Sequence, residues 1–326
     1  KSKSNIAPDQ QRLVDIVEVV RHGDKFVIPE ELSAERALRV LEDLVIAEET
    51  NVGVRAEINA FVFDGAYAFN KALADTFGFA VGKPTPGFFG DTPPTSLGVE
   101  IGIDDKGKKV TEQILWGRME LPGIEGHLET GWYMDRGVIK FAINGEVKKK
   151  YEKAVNAIID LTKDYAQNHS IFKGKAFSIE FTDQDGQDIQ MPKPEFLDHR
   201  HDVQVIFSEE VETAVGVSIL TPIERTEECR AYGVPLKRGI LLEGPYGVGK
   251  TLVGKKAMHK AVQNNWTYIE CRNINDLPKV VAFAHNYGPA VVFCEDIDKV
   301  MKGERTITMD QILNIVDGVA SKGKEI

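Results

Sequence analysis

Gly244-Pro245-Tyr246-Gly247-Val248-Gly249-Lys250-Thr251 is the stretch on which the reading of this chain turns. It fits G-x-x-x-x-G-K-[ST], a loop that cradles nucleotide phosphates. Arg238-Gly239-Ile240-Leu241-Leu242-Glu243 before it reads as a short buried strand. Thr251 to Met258 after it reads as the opening of a helix. Strand, glycine loop, helix is the order that the chemistry requires; the competing reading is a plain Gly-rich turn between two elements.

The physical argument for the loop is local. Glycines allow backbone turns closed to other residues and let the chain approach a ligand closely. Successive N–H groups then form an anion-binding nest, and a helix starting near Lys250 adds its positive dipole end. Lys250 is expected to reach the β- and γ-phosphates of ATP, and the Thr251 hydroxyl to ligate Mg²⁺. The expected nucleotide contacts are Gly244, Pro245, Tyr246, Gly247, Val248, Gly249, Lys250, Thr251 and Leu252.

Such a site needs a carboxylate at the end of a neighbouring strand. Ala290-Val291-Val292-Phe293-Cys294-Glu295-Asp296-Ile297-Asp298 offers one, as an apolar run that breaks into acids. The run has the pattern of a strand buried on both faces of a parallel sheet. Ligands of open α/β sheets bind beyond the C-terminal strand ends. A core strand leaving into an acidic solvated loop is the alternative.

These residues carry a family resemblance. From about Val211 onward the chain resembles the first half of an AAA+ ATPase module of the AAA branch. Tyr232 to Pro245 is similar to that family's lead-in to the P-loop. Val291 to Asp298 resembles its Walker B segment, and Gln311 to Val319 the helix that follows. The resemblance implies a three-layer αβα P-loop core with a parallel sheet. It implies an ATPase that works as a ring, a homohexamer, with ATP and Mg²⁺ at subunit interfaces. By position, Glu295 would hold Mg²⁺ through water and Asp296 would polarise the attacking water, with Lys250 as the third catalytic group.

Three departures from the family pattern stand out. The family ends its Walker B strand Asp-Glu, and this chain has Glu295-Asp296. One arm is a methylene longer and the other shorter, and a misplacement of about 1 Å can cost roughly a hundredfold in rate. Related remodellers grip polypeptide with a pore-loop aromatic; Arg272 to Pro278 has none, and Tyr287 reads as a packing residue. The sequence ends at Ile326. The resemblance implies a further strand between the P-loop strand and the Walker B strand, then a sensor, an arginine finger and a lid. The polypeptide is therefore expected to continue, and the absence of Met before Lys1 points the same way.

Composition sets wider bounds. A chain of 326 residues with 42% hydrophobic residues supports two domains with real cores. The formal net charge of −10 argues against a nucleic-acid coat or an anionic membrane surface. Cys229, Cys271 and Cys294 have neither metal spacing nor a disulfide framework. No apolar run reaches membrane length, and Lys1-Ser2-Lys3-Ser4 leads into no signal-like segment, so the chain reads as cytoplasmic.

Residues 1–190 read as a mixed α+β target-binding or adaptor region, 191–210 as a linker, and 211–326 as the ATPase domain. In the first region, Val17 to Ile28 reads as a β-hairpin turning at His22-Gly23-Asp24. Ser33 is a candidate N-cap for a helix with Leu38, Leu41 and Val45 on one face. A strand from Val52 to Phe63 leads to a helix near Tyr67–Phe77, and Gly82 to Pro94 reads as loop. Strands are expected at Leu97–Ile103, Val110–Trp116, His127–Met134, Val138–Ile143 and Phe172–Phe181. A long amphipathic helix is expected from Val147 to Asn168. Asp198-His199-Arg200-His201-Asp202 reads as solvated linker, with metal binding as the alternative. Of Phe88, Phe89, Trp116, Trp132 and Tyr133, most are assigned to core packing, and Phe88-Phe89 is the pair best placed for exposure. Lys148-Lys149-Lys150 reads as the solvated start of a helix.

Function is thus expected to be ATP-driven remodelling or translocation of a macromolecular target, a protein reached through the N-terminal region. A slow ATP-dependent scaffold or switch is the alternative. A P-loop kinase or a DNA-associated loader follows behind, the latter opposed by the acidic balance.

Overall fold

The computed structural model describes residues 20–22, 25–27 and 33–295, apart from Ala80, Phe89 and Gln184. The elements run β1 (Val20–His22), β2 (Lys25–Val27), α1 (Ala34–Glu49), β3 (Asn51–Phe61), α2 (Val62–Phe77), β4 (Val81–Lys83), β5 (Thr95–Ile103), β6 (Lys109–Trp116), β7 (Arg118–Leu121), β8 (Ile124–Asp135), β9 (Val138–Lys148) and α3 (Glu152–Asn168). They continue through β10 (Ala176–Ser178), β11 (Glu195–Phe196), α4 (Glu209–Val215), α5 (Thr221–Glu224), α6 (Thr226–Ala231), α7 (Lys250–Gln263), β12 (Thr267–Cys271), α8 (Leu277–Ala284) and β13 (Ala290–Cys294).

The first half is built on an antiparallel sheet of order β3-β9-β8-β7-β4. Its alternation is that of a sheet with one covered face: in β3 the odd residues from Asn51 to Glu57 are exposed and the even ones half-buried. Helices α2 and α3 cover that face through Phe69 and Leu73 on α2 and Val155, Ile158 and Ile159 on α3. β5 and β6 form a separate antiparallel hairpin, and β1 pairs with β2 as the hairpin expected there. Ser33 caps α1 by accepting from the Arg36 N–H at 3.4 Å.

The second sheet has order β11-β10-β12-β13, with β10, β12 and β13 parallel and β11 antiparallel to β10. One of its faces packs on α7, where Met258 and Ala261 meet Ala176 and Tyr268. The other joins the large core, where Phe177 and Ile269 meet Val280 and Phe283 of α8. Helix, sheet, helix is therefore the layering of this part, which supports a mixed α/β fold with an antiparallel region ahead of it.

The two sheets meet in an aromatic seam. Phe283 lies 5.0 Å from Phe61, 5.9 Å from Phe177 and 5.0 Å from Tyr287, ring centre to ring centre. The Tyr287 hydroxyl accepts from the Phe61 N–H at 3.1 Å. Asp64 on α2 is buried and accepts from the Ser170 hydroxyl at 2.7 Å and the Ile171 N–H at 2.9 Å. Asp276, before α8, accepts from the Phe181 and Thr182 N–H groups at 2.8 and 3.1 Å. Tyr287 packs, as its sequence context indicated.

Several expectations are corrected. The α1 face of Leu38 and Val45 is exposed, and Ala37 and Val40 are the buried residues. The helix expected from Val147 starts at Glu152, because Val147 and Lys148 still pair with β3. Lys150 there is tied to Glu49 and Glu125 at 2.7 and 2.8 Å. Phe172–Phe181 forms strand only over Ala176–Ser178. Trp132 is 55% exposed, whereas Trp116 packs edge-on against Phe141; Phe88 is exposed as expected, and Phe89 is outside the described residues.

Candidate nucleotide-binding site

The loop from Gly244 leads directly into α7, which starts at Lys250. Gly249, its N-cap, sits at φ 96°, and Gly247 at φ 84°. Both lie in the left-handed region where a Cβ is strained, so the sequence needs glycine there. A Cβ on Gly249 would also come within 3.2 Å of the Phe207 ring. The first turn of α7 has unsatisfied N–H groups and the positive end of the helix dipole, and no acidic side chain neutralises it.

Lys250 closes the loop on itself. Its Nζ donates to the carbonyls of Gly244 and Pro245, each at 2.9 Å. An ammonium held only by two loop carbonyls is poised for an anion, because phosphate oxygens would bind it more strongly. Thr251 follows on the exposed side of the first turn, and Tyr246, Val248 and Leu252 are solvent-facing. The residues present fit a nucleotide triphosphate with its Mg²⁺: a glycine cradle, a helix N-terminus, one lysine and one hydroxyl on contiguous backbone.

The lead-in is a correction. Arg238 to Glu243 is not a strand and is not buried; Ile240 and Leu241 are 43% and 71% exposed. A strand exists through the ladder it makes with a neighbour. No described segment pairs with this one, and β13 pairs only with β12.

The acidic strand takes the expected direction. β13 runs parallel to β12 in register from Thr267↔Ala290 to Cys271↔Cys294. Glu295 follows at its C-terminal end and is exposed. Most of β13 is half-buried rather than sealed on both faces, and among the described residues only one of its edges is paired. Asp296, Asp298 and Gln311 to Val319 lie outside the described residues. Cys271 and Cys229 are buried and Cys294 is half-buried. The Cys271 thiol is pushed well up by the Cys294 side chain beside it and by burial.

What joins strand and loop was not read from the sequence. Gly254, in the second turn of α7, lies against Phe293 of β13; a Cβ there would come within 2.6 Å of the ring. A glycine inside a helix costs about 1 kcal/mol relative to alanine, which is the signal that was available. It lets the strand ending in Glu295 sit directly on the helix that begins at Lys250. Lys250 and Glu295 are not bonded to one another; the lysine's bonds go to the loop.

Asp198 to Asp202 makes local ties. Arg200 pairs with Asp198 at 2.8 Å and donates to the Asp105 carbonyl, and the His199 carbonyl meets His259 Nδ1 at 2.7 Å. Among the described residues, no group of three or more His, Cys, Asp or Glu side chains is arranged to hold a metal ion, and no helix is long and apolar enough to cross a membrane.

Residues 240–326 match the family "ATPase family associated with various cellular activities (AAA)". The chain is 30% identical over 125 residues to the 26S proteasome regulatory subunit 6A of Schizosaccharomyces pombe, covering 32% of this chain and 28% of that one. It is 25% identical over 256 residues to the proteasome-activating nucleotidase of Sulfurisphaera tokodaii, covering 66% and 62%. With the corresponding protein of Methanothermobacter thermautotrophicus the identity is 28% over 136 residues, covering 35% and 32%. The chain thus spans less than two thirds of the length of these curated relatives.

Proposed function

From the AAA ATPase family domain in residues 240–326, with its distant homology to proteasomal ATPases, we propose that this chain binds and hydrolyses MgATP and uses the turnover to remodel a protein target. The carrying observation is the loop on α7, with Lys250 bonded only to the loop carbonyls, and the strand of Glu295 docked on the same helix through Gly254 and Phe293. The backbone N–H groups of Gly244 to Thr251 would hold the phosphates. Lys250 would leave the Gly244 and Pro245 carbonyls for phosphate oxygens. The Thr251 hydroxyl, and Glu295 through water, would hold Mg²⁺, and Asp296 would orient and activate the attacking water. MgATP supplies the phosphoanhydride bond and the metal charge that offsets the charge developing on the phosphates.

The remaining assignments belong to the same proposal. The chain acts as a ring of identical subunits, a hexamer, in the cytoplasm. Residues 211–326 are its ATPase part, 191–210 a connector, and 1–190 the part that selects the target. A slower, scaffold-like machine that does not thread polypeptide is favoured by one observation: Arg272 to Pro278 carries no aromatic, and Tyr287, which follows it, is 2% exposed and committed to the core.

Steady-state ATPase measurements test the reading. Mg²⁺-dependent turnover is expected, strongly reduced in Asp296→Asn with nucleotide binding retained. Unchanged turnover in that variant would remove Asp296 as the water-activating base. Loss of nucleotide binding in Glu295→Gln, instead of loss of Mg²⁺ dependence, would show that the acids are read in the wrong register.

A further inference from the structure

Two of the three cysteines stand side by side on neighbouring strands. β12 and β13 are parallel and in register from Thr267↔Ala290 to Cys271↔Cys294. Registered residues of adjacent strands point to the same face of the sheet. The residues around the pair show which face this is. Ile269 and Cys271 belong to the large core, and Val292 and Cys294 pack against it. Tyr268, Val291 and Phe293 turn the other way, into the cluster under α7. Neighbouring strands lie about 4.8 Å apart, and a disulfide spans Cα separations of about 4.4–6.8 Å. The two thiol side chains are within hydrogen-bonding reach of one another.

The two sulfurs differ in access. Cys271 is 1% exposed, and its Sγ donates to the Asn273 carbonyl at 3.1 Å. Cys294 is half-buried at the last residue of β13, and its Sγ contacts the Glu295 carbonyl at 3.7 Å. A small oxidant therefore meets Cys294 first and leaves it beside a second thiol. That is the arrangement of an oxidised sulfur with a resolving cysteine next to it. Cys229, on α6, is buried in the cluster on the other face of the sheet and takes no part.

We propose that Cys271 and Cys294 form an oxidation site, which a peroxide closes to a disulfide, and that closure restrains Glu295. The Cys294 sulfur attacks one peroxide oxygen, the O–O bond breaks, and sulfenic acid and one water result. The Cys271 sulfur then attacks the sulfenic sulfur, and the hydroxyl group leaves with the thiol proton as a second water. Two thiols have lost two electrons, and the peroxide has gained them. The Cβ atoms of a disulfide stand about 3.8 Å apart, closer than the spacing of two strands. The end of β13 must therefore draw toward β12, and Glu295 is the next residue. Strained disulfides are the readily reduced ones, so a thiol reductant reopens the bond. The effect on turnover rests on the reading of Glu295 as an acid of the Mg²⁺ site.

The test treats the reduced 326-residue chain with hydrogen peroxide, alkylates the remaining thiols and maps the digest by mass spectrometry. The expected product is an intrachain Cys271–Cys294 crosslink, lighter by two hydrogens, with Cys229 alkylated and the bond reopened by dithiothreitol. Cys271→Ala should give no crosslink and a sulfenic acid on Cys294 that dimedone captures. Cys294→Ala removes the accessible thiol, and peroxide should then leave Cys271 unmodified. Cys229→Ala should crosslink like the parent. MgATP turnover, read on the same samples, should fall at least about tenfold on oxidation and return on reduction. Failure of the Cys271–Cys294 crosslink to form overturns the proposal, as does a disulfide that uses Cys229 or joins two chains. A crosslink with unchanged turnover overturns the restraint on Glu295. A crosslink in a chain with no turnover before oxidation leaves the oxidation site standing and removes the ATPase reading, and turnover without a crosslink does the reverse.

Discussion

The P-loop and the aromatic seam are held by opposite means. From Gly244 to Leu252 the chain is mostly exposed, its glycines sit at positive φ, and its one cation rests on its own carbonyls. The seam of Phe61, Phe172, Phe177, Phe283 and Tyr287 is almost free of solvent and is pinned by Asp64 and Tyr287. Chemistry is placed where little packing resists a ligand, and stability where nothing has to move. Substitutions in the two regions should therefore separate activity from folding.

Lys250→Ala is the largest effect expected on the loop side. It should abolish turnover, a loss of more than about a hundredfold, because no other cation on the loop replaces it. Stability should change by no more than about 1 kcal/mol, since the half-buried side chain bonds only to carbonyls of its own loop. A steady-state assay beside urea denaturation checks both halves. Lost folding in this variant would break the comparison.

Phe283→Ala is its counterpart on the seam. The ring is fully buried and touches aromatic rings from both sheets. Its removal should cost about 3–5 kcal/mol of unfolding free energy, read as a lowered urea midpoint. The surviving folded fraction should still bind nucleotide, because the P-loop takes no contact from this ring.

Asp64→Asn sharpens the seam's own account. Burial raises the Asp64 carboxyl from 3.8 to about 6, against the hydrogen bonds from Ser170 and Ile171 that lower it. The folded state therefore prefers the protonated acid. Its contribution is full below about pH 4 and is lost as pH rises through about 6, a change of about 3 kcal/mol. The asparagine variant should lose this part of the pH dependence, measured by denaturant unfolding between pH 4 and 7. An unchanged slope would show that Asp64 titrates like an exposed carboxylate.

Legibility followed the range of the interactions. The P-loop is a contiguous pattern, and its helix starts at Lys250 as the motif requires. β13 is a short apolar run with a clear edge, and it formed where it was read. Arg238 to Glu243 has the composition of a strand but not its partner, and composition alone does not supply one. The apolar stripe of α1 is real in the sequence, yet Leu38 and Val45 remain exposed, because amphipathicity names a face and not what covers it. The seam joins Phe61 and Phe172 to Phe283 across more than a hundred residues, and no periodicity carries that information.

Gly254→Ala is the smallest change and probes a contact between the helix that begins at Lys250 and the strand that precedes Glu295. Gly254 lets Phe293 lie on α7, and a methyl group there would come within 2.6 Å of the ring. The helix alone would gain about 1 kcal/mol from alanine. The overlap with a half-buried ring should outweigh that, for a net loss of about 1–2 kcal/mol, since overpacking costs about 1–3 kcal/mol. Because Phe293 stands two residues before Glu295, the relief of the clash should displace the acid from the helix that carries Lys250. Turnover should fall more than nucleotide binding, as the loop itself is untouched. Equal losses of both would mean that strain reaches the P-loop through α7, and the separation between exposed loop and packed strand would then have to be drawn on the far side of Phe293.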